Sequence, residues 1–427
     1  MNDFLAALRN RRSAFTISFC CEGGLEDYLS NILLTNFDLF NTIESMGYTY
    51  VSHGNLYTVT FRVDYTTARY DFIAVIRNDF ELMTAITAIQ KTHRAKAKLV
   101  FDNRRKTFDP DNMHDHVKQF LTRTGIEYGE SQRNSSHYRR VSLIKQQIIT
   151  EEIIFDYFDD SMAVNELAFI VALHYENARN QFTTPRQTID YLMRWFRSNV
   201  QYRDTDRDSD HSAVGLILNG TAVCQGIAVY AYRFLNYCGI KTRYVHGLGN
   251  GAHGWGNHAW NQVFIDGAWE HIDYTFELYS QRSVFIPESE FRTKHRWDEN
   301  IYSASESTHL AHVAGVLDQT IITIVPNQQV FAINGCVAYI PAIENIAPIV
   351  HNECMISLLA LLPLLNGCFH VTQTECIIFT WKKKFNIPLN CFTIANGKLL
   401  LPIKYLPQLN CDVTIEGQTI SIKSKGS

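Results

Sequence analysis

The 427-residue sequence predicts an α+β protein in three parts, on three observations. Residues 222–235 carry apolar side chains at helical spacing around a cysteine. Further on, two strand-like runs flank an Asp-Gly pair. Each end of the chain then repeats itself, in helix-and-strand units at the start and in short strands at the finish. At 49.1 kDa the chain exceeds one ordinary core. The expected divisions are 1–148, an α+β domain with an internal duplication; 149–320, the domain holding the cysteine; and 321–427, a β-rich repeat domain.

The N-terminal duplication rests on two matches. ALRNRRSAFTISF (7–19) resembles AIQKTHRAKAKLVF (88–101), each a basic helix end running into an alternating strand. SMGYTYVSHGNLYTVTFRV (45–63) resembles RTGIEYGESQRNSSHYRRVSLI (123–144), each a strand pair. Each unit reads as helix, strand, helix and two strands. From Lys91 to Lys145 there are 13 Lys and Arg against 6 Asp and Glu. With no interleaved stacking aromatics, that excess reads as a solvated face and not as a nucleic-acid site.

Two helices, SMAVNELAFIVALHYENA and TPRQTIDYLMRWFRSNV (184–200), precede the cysteine. Thr184 with Pro185 makes a helix start for the second. In the cysteine helix Val223, Ile227, Tyr230, Ala231 and Phe234 form one stripe, with Thr221 as the expected N-cap and Gly239 as the stop. Cys224 then lies in the first turn, where free N–H groups and the helix dipole favour a thiolate and an oxyanion. Cys238, at the negative end, is the poorer nucleophile. The competing reading of Cys224 is a small buried hydrophobe.

Residues 258–265 and 268–276 flank Asp266-Gly267, the signal for a two-residue hairpin turn. Counting outward from that turn pairs Ile265 with Ala268, Gln262 with His271 and Trp260 with Asp273. His258 and Asp273 become diagonal neighbours on one face, within reach of an imidazole–carboxylate bond. His271 shares the face, so the register alone leaves two histidines. The glycine-heavy stretch GLGNGAHGWG (247–256) fits no phosphate-binding pattern and is expected to be a flexible rim to a cleft.

These residues resemble the transglutaminase-like (papain-like thiol) superfamily. The likeness runs from about His211 to Phe276, in Val-Cys-Gln-Gly, a Gly-Ile beyond the helix, His-Ala-Trp-Asn and Trp-x-x-x-Asp-x-Thr. It implies a cysteine-bearing helix against an antiparallel sheet, with Cys224 as nucleophile, His258 as general base and Asp273 as orienting acid. That choice prefers His258 to His271. Tyr274 departs from the family's usual small residue after the aspartate, with no loss of the triad expected. An upstream oxyanion group is expected in the region of His211 and Asn219. The resemblance implies crosslinking, deamidation or peptidase chemistry through a thioester, and also admits a silent scaffold that binds or assembles.

Beyond about residue 325 the chain turns to short strands. Leu362-Pro363-Leu364-Leu365-Asn366 recurs as Leu406-Pro407-Gln408-Leu409-Asn410, each leading into an alternating run. With INGCVAYIPAIENIAPIV (333–350) and IANGKLLLPIKYLPQL (394–409), this region resembles the copper-amine-oxidase-like N-terminal (stalk) repeat of Gram-positive bacteria. No copper ligands are visible, so no metal or other cofactor is expected, and partner contact is the expected role.

Composition bounds the rest. Hydrophobic residues make 46% and the net charge is −4, with no global pull toward nucleic acid or anionic membrane. The longest apolar run, MISLLALLPLL (355–365), is too short to span a bilayer. The start has its acidic residue and its basic residues in the wrong order for a secretory signal, which points to the cytoplasm. Of ten cysteines, six lie between Cys336 and Cys411 without metal spacing, and free thiols are expected in a reducing compartment. The expected partner is a peptide or protein substrate, with a protein partner for the flanking repeats.

Overall fold

A strand buried on both faces can be apolar throughout, and Phe72–Ile76 is such a strand, with all five residues buried. In the computed structural model, described residues are 2–67, 70–128, 132–205, 207–280, 282–299, 302, 320–326, 330–339, 349–350, 353–380, 383–395 and 398–425; only the backbone is described at 37, 122–128, 132–140 and 349–350. Positions 129–131, 340–348 and 396–397 of the matched repeat segments lie outside them. The fold is a mixture of helices and mostly antiparallel sheets, the α+β class that the sequence predicts.

The N-terminal element order recurs. Helix Asn2–Arg9, strand Ala14–Cys20, helix Leu25–Thr35 and strands Ile43–His53 and Leu56–Tyr65 come first. After Phe72–Ile76 come helix Asp79–Lys91, strand Lys96–Asp102, helix Met113–Tyr128 and strands Gln132–Leu143 and Ile148–Tyr157. In both sets the last strand lies in the middle, antiparallel to the other two.

The second set belongs to a nine-stranded sheet that also takes in C-terminal strands. Phe72–Ile76 runs parallel to Lys96–Asp102 and antiparallel to Cys336–Tyr339, with Ala74 opposite Ala338. One sheet therefore crosses the positions 148/149 and 320/321. Lys98 is buried in it, where its Nζ donates to the carbonyls of Phe40 (3.0 Å) and Ile43 (3.2 Å) and lies 3.6 Å from Glu152. These bonds fasten the first N-terminal unit to the sheet and satisfy a charge that burial would otherwise penalise.

The C-terminal repeat is also an element repeat. Strand Glu353–Ser357, a helical turn ending at Leu365 and the hairpin Gly367–Val371/Glu375–Thr380 are followed by strand Lys398–Pro402, turn Ile403–Leu409 and the hairpin Cys411–Glu416/Thr419–Ser424. Asn366 (φ 54°) and Asn410 (φ 62°) end the two turns in the left-handed region, which asparagine tolerates. All ten cysteines are free, and among the described residues no helix is long and apolar enough to cross a membrane.

The middle of the chain builds the core that carries the cysteine. Helix Pro185–Asn199 begins with the capping box Thr184–Gln187. It packs with helices Ser161–Ala178 and Cys224–Tyr237 on a sheet ordered Ala268–Ile272, Gly254–Ile265, Thr242–Gly251, His295–Arg296. The five residues of the predicted stripe are all buried. His174 links the three helices, its Nδ1 2.7 Å from the Tyr230 hydroxyl and its Nε2 2.8 Å from that of Tyr191. Burial pushes His174 down to about 4. Below its ordinary value near 6.5 the unfolded chain takes a proton that the folded one refuses until about 4. Stability contributed here is therefore complete above pH 6.5 and falls as pH drops toward 4. Urea midpoints measured from pH 7 to 4.5 should fall less steeply in His174→Gln than in the parent; equal slopes would contradict the assignment.

Candidate active site

The cysteine helix starts at Cys224 itself, two residues later than its spacing predicts. Thr221 is not its cap. Thr221 and Ala222 pair in parallel with Gln201 and Tyr202, and this ladder holds Thr221 away from the helix end. Val223 occupies the N-cap position without a side-chain bond, its own N–H donating to the Asp210 carbonyl at 2.9 Å. Cys224 is thus the first helical residue, half-buried at the positive end of the dipole. Gly226 allows this start to nestle against the preceding turn, because a Cβ there would meet the Ser212 carbonyl at 2.9 Å. Cys238 caps the far end.

Of the two expected oxyanion positions, His211 reaches the cysteine helix, its Nδ1 3.3 Å from Gln225 Oε1. Asn219 is exposed at the end of helix Ala213–Asn219. Tyr202 and Tyr244, which the sequence did not single out, also stand by the cysteine. Burial pushes Tyr202 up to about 12 and Tyr244 further, and the charge of Cys224 adds to both.

The hairpin forms in the predicted register. Asp266 (φ 53°) and Gly267 (φ 84°) make the turn, and Ile265 faces Ala268, Phe264 faces Trp269 and Gln262 faces His271. Strand Ala268–Ile272 ends one residue before Asp273, yet the expected diagonal contact is made: His258 Nε2 lies 2.7 Å from Asp273 Oδ2. The other carboxylate oxygen accepts the backbone N–H groups of Thr275 (2.8 Å) and Phe276 (3.0 Å). Tyr274 points away into the core, its hydroxyl donating to the Ile189 carbonyl at 3.3 Å.

A second histidine, His295, meets the same carboxylate oxygen, with its Nε2 2.8 Å from Oδ2. It comes from strand His295–Arg296, which pairs with Thr242–Gly251 through Gly249 and Leu248. The nearest polar atoms of His258, Asp273 and His295 lie within 4.8 Å of one another, a spacing that shared hydrogen bonding through Oδ2 explains.

The pocket around His258 is tight. Its ring lies between Trp260 (centroids 5.7 Å apart) and the edge of Phe276 (4.9 Å). The glycine-rich stretch is not a loose rim but the ends of strands Thr242–Gly251 and Gly254–Ile265. Gly249 is required there, because a Cβ would come within 2.8 Å of His258 Cγ.

Electrostatics separate the two histidines of the hairpin face. His271 Nδ1 accepts from the Trp260 indole (2.8 Å), and burial, helped by nearby positive groups, holds His271 down to about 3. His258 goes the opposite way. Burial opposes its charge, but the carboxylate of Asp273 and its hydrogen bond, joined by a hydrogen bond and charge from Cys224, push His258 up to about 10. Asp273 is buried, which disfavours its charge, and still both imidazoles hold it well below the usual carboxylate range.

Residues 176–274 match the family model of the transglutaminase-like superfamily. Cys224, His258 and Asp273 fall inside that transglutaminase-like domain, and His295 falls outside it. No curated protein matches the chain. Among solved structures, a TGase is 14% identical with a TM-score of 0.24, over 46% of this chain and 56% of that one, so the chain spans little more than half of its length. A protein from Cytophaga hutchinsonii described as a candidate cysteine protease is 13% identical with a TM-score of 0.25, over 68% and 79%. A candidate protease from Parabacteroides distasonis is 8% identical with a TM-score of 0.21, over 99% and 88%. Likenesses at these scores carry no functional argument.

The close packing of Gly249 on His258 has a measurable consequence. Gly249→Ala should cost about 1–3 kcal/mol by overpacking and displace the imidazole. Denaturant unfolding and the His258 ring resonances check both, and an unchanged midpoint with unchanged resonances would contradict the packing.

Proposed function

We propose that the transglutaminase-like domain performs cysteine-dependent acyl transfer on amide bonds of peptides or proteins. The observation that carries this reading is the convergence of Cys224, His258 and Asp273, with His258 hydrogen-bonded to Asp273 and electrostatically coupled to a cysteine at a helix start that no side chain caps. Cys224 acts as nucleophile, His258 as acid and base, and Asp273 as the group that fixes the imidazole. The Cys224 sulfur attacks the amide carbonyl, and first-turn N–H groups face the developing oxyanion. The carbon–nitrogen bond then breaks, the His258 proton goes to the leaving nitrogen, and a thioester remains. An amine or a water molecule, giving its proton to His258, attacks the thioester; the carbon–sulfur bond breaks, the acylated product leaves, and the Cys224 thiolate beside the His258 imidazolium is restored. The resting proton has a place, since His258 holds one throughout neutral pH.

No cofactor or metal enters this chemistry. The flanking repeats, which resemble stalk modules in the C-terminal part, are proposed to contact a protein partner, and the ten free thiols suit a reducing cytoplasm. The alternative, a silent scaffold, places no demand on Cys224. Iodoacetamide at near-neutral pH distinguishes the two: Cys224 should be labelled at least ten times faster than Cys238, measured by peptide mass spectrometry. Equal rates would favour the scaffold.

A further inference from the structure

His295 has an acceptor oxygen against each of its ring nitrogens. Its Nε2 faces Asp273 Oδ2 at 2.8 Å and its Nδ1 faces the Phe291 carbonyl oxygen at 3.1 Å. Both partners are acceptors, so a neutral ring would turn a lone pair on one of them. The ring stacks face to face on Phe291, centroids 3.8 Å apart at 16°, an arrangement that favours a cation. The residue is 2% exposed.

We propose that His295 is a buried imidazolium that positions Asp273 and shares its negative charge with His258. The inference rests on the reading of Asp273 as the group that orients His258. The two histidines draw on one carboxylate oxygen, so whatever charge His295 neutralises is no longer available to hold the proton on His258. With His295 charged, the set formed by thiolate, His258 imidazolium, Asp273 and His295 is electrically neutral, which lowers the cost of burying it. His295 thus makes His258 a better proton donor to the leaving nitrogen while holding the carboxylate in place.

The surroundings permit this assignment. On the inner side the charged groups are His258 and Asp273, while His271, kept neutral by burial, adds no charge. On the outer side Glu277, Arg282, Glu290 and Lys294 line a small cavity with His295, and Arg282 is bonded to Glu290. Asp273 is the charged group that His295 contacts directly.

Two measurements test the proposal. Nitrogen-15 spectra of the ring in the full chain at pH 7 should show both His295 nitrogens protonated; a lone-pair nitrogen would overturn it, whatever the enzyme does. In His295→Gln, which keeps a donor toward Asp273 but no charge, the alkaline limb of the acyl-transfer rate should move up by about one pH unit, with kcat within a few-fold. His295→Leu, lacking the donor, should lose at least tenfold in kcat. A limb that stays in place in the folded Gln variant would make His295 merely structural. Loss of fast Cys224 labelling in the parent chain would instead sink the acyl-transfer reading while leaving the ring spectra to decide the charge.

Discussion

A single buried carboxylate organises the site. Asp273 receives four hydrogen bonds, two on each oxygen: backbone N–H groups of Thr275 and Phe276 on Oδ1, and imidazoles of His258 and His295 on Oδ2. A carboxylate taken out of water without such partners would be strongly destabilised. With them it stays ionised and aims two rings. His258 is electrostatically coupled to Cys224, and His295 reaches back to the Phe291 carbonyl on its own segment. The hairpin supplies the first ring, the distant segment at 295–296 supplies the second, and a separate helix supplies the thiol.

Close backbone approach makes this convergence feasible. Gly226 lets the helix start settle against the turn before it, and Gly249 leaves space for the His258 ring. Gly247 serves the neighbouring layer, since a Cβ there would strike the Arg296 carbonyl and the Trp260 ring. Arg186 ties the hairpin turn to helix Pro185–Asn199 through Asp266 (3.1 Å) and Glu270 (2.7 Å). Such exposed pairs contribute little energy, so orientation rests on the buried layer, where Asn261 bonds the carbonyls of Ala228 and Arg243 and joins helix to sheet.

Much of this was legible wherever the signal was local. The Asp-Gly turn dictated the hairpin register and with it the His258–Asp273 contact, and helical spacing identified the buried stripe behind Cys224. The misreadings share one cause, backbone pairing that the side-chain pattern does not announce. Thr221 looks like a cap until its backbone is engaged by Gln201, and the glycines at 247–256 look like a loop until their role as close-packing strand ends is seen. Nothing near His295 in the sequence announces that it returns to Asp273, and the pairing of Ala74 with Ala338 likewise leaves no mark in either segment. His271 shows the reverse case, a histidine on the right face that the neighbouring Trp260 removes from contention.

The central claim is that Cys224 takes an acyl group from an amide, and trapping that group tests it most directly. The full chain, incubated with a glutamine-containing peptide and quenched in acid, should gain the mass of the acyl moiety on the tryptic peptide containing Cys224. A primary amine added before the quench should discharge it, and Cys224→Ala should show neither adduct nor product. Absence of any adduct, deamidation, cleavage or amine incorporation across peptide substrates, or product formation unchanged in Cys224→Ala, would contradict the account.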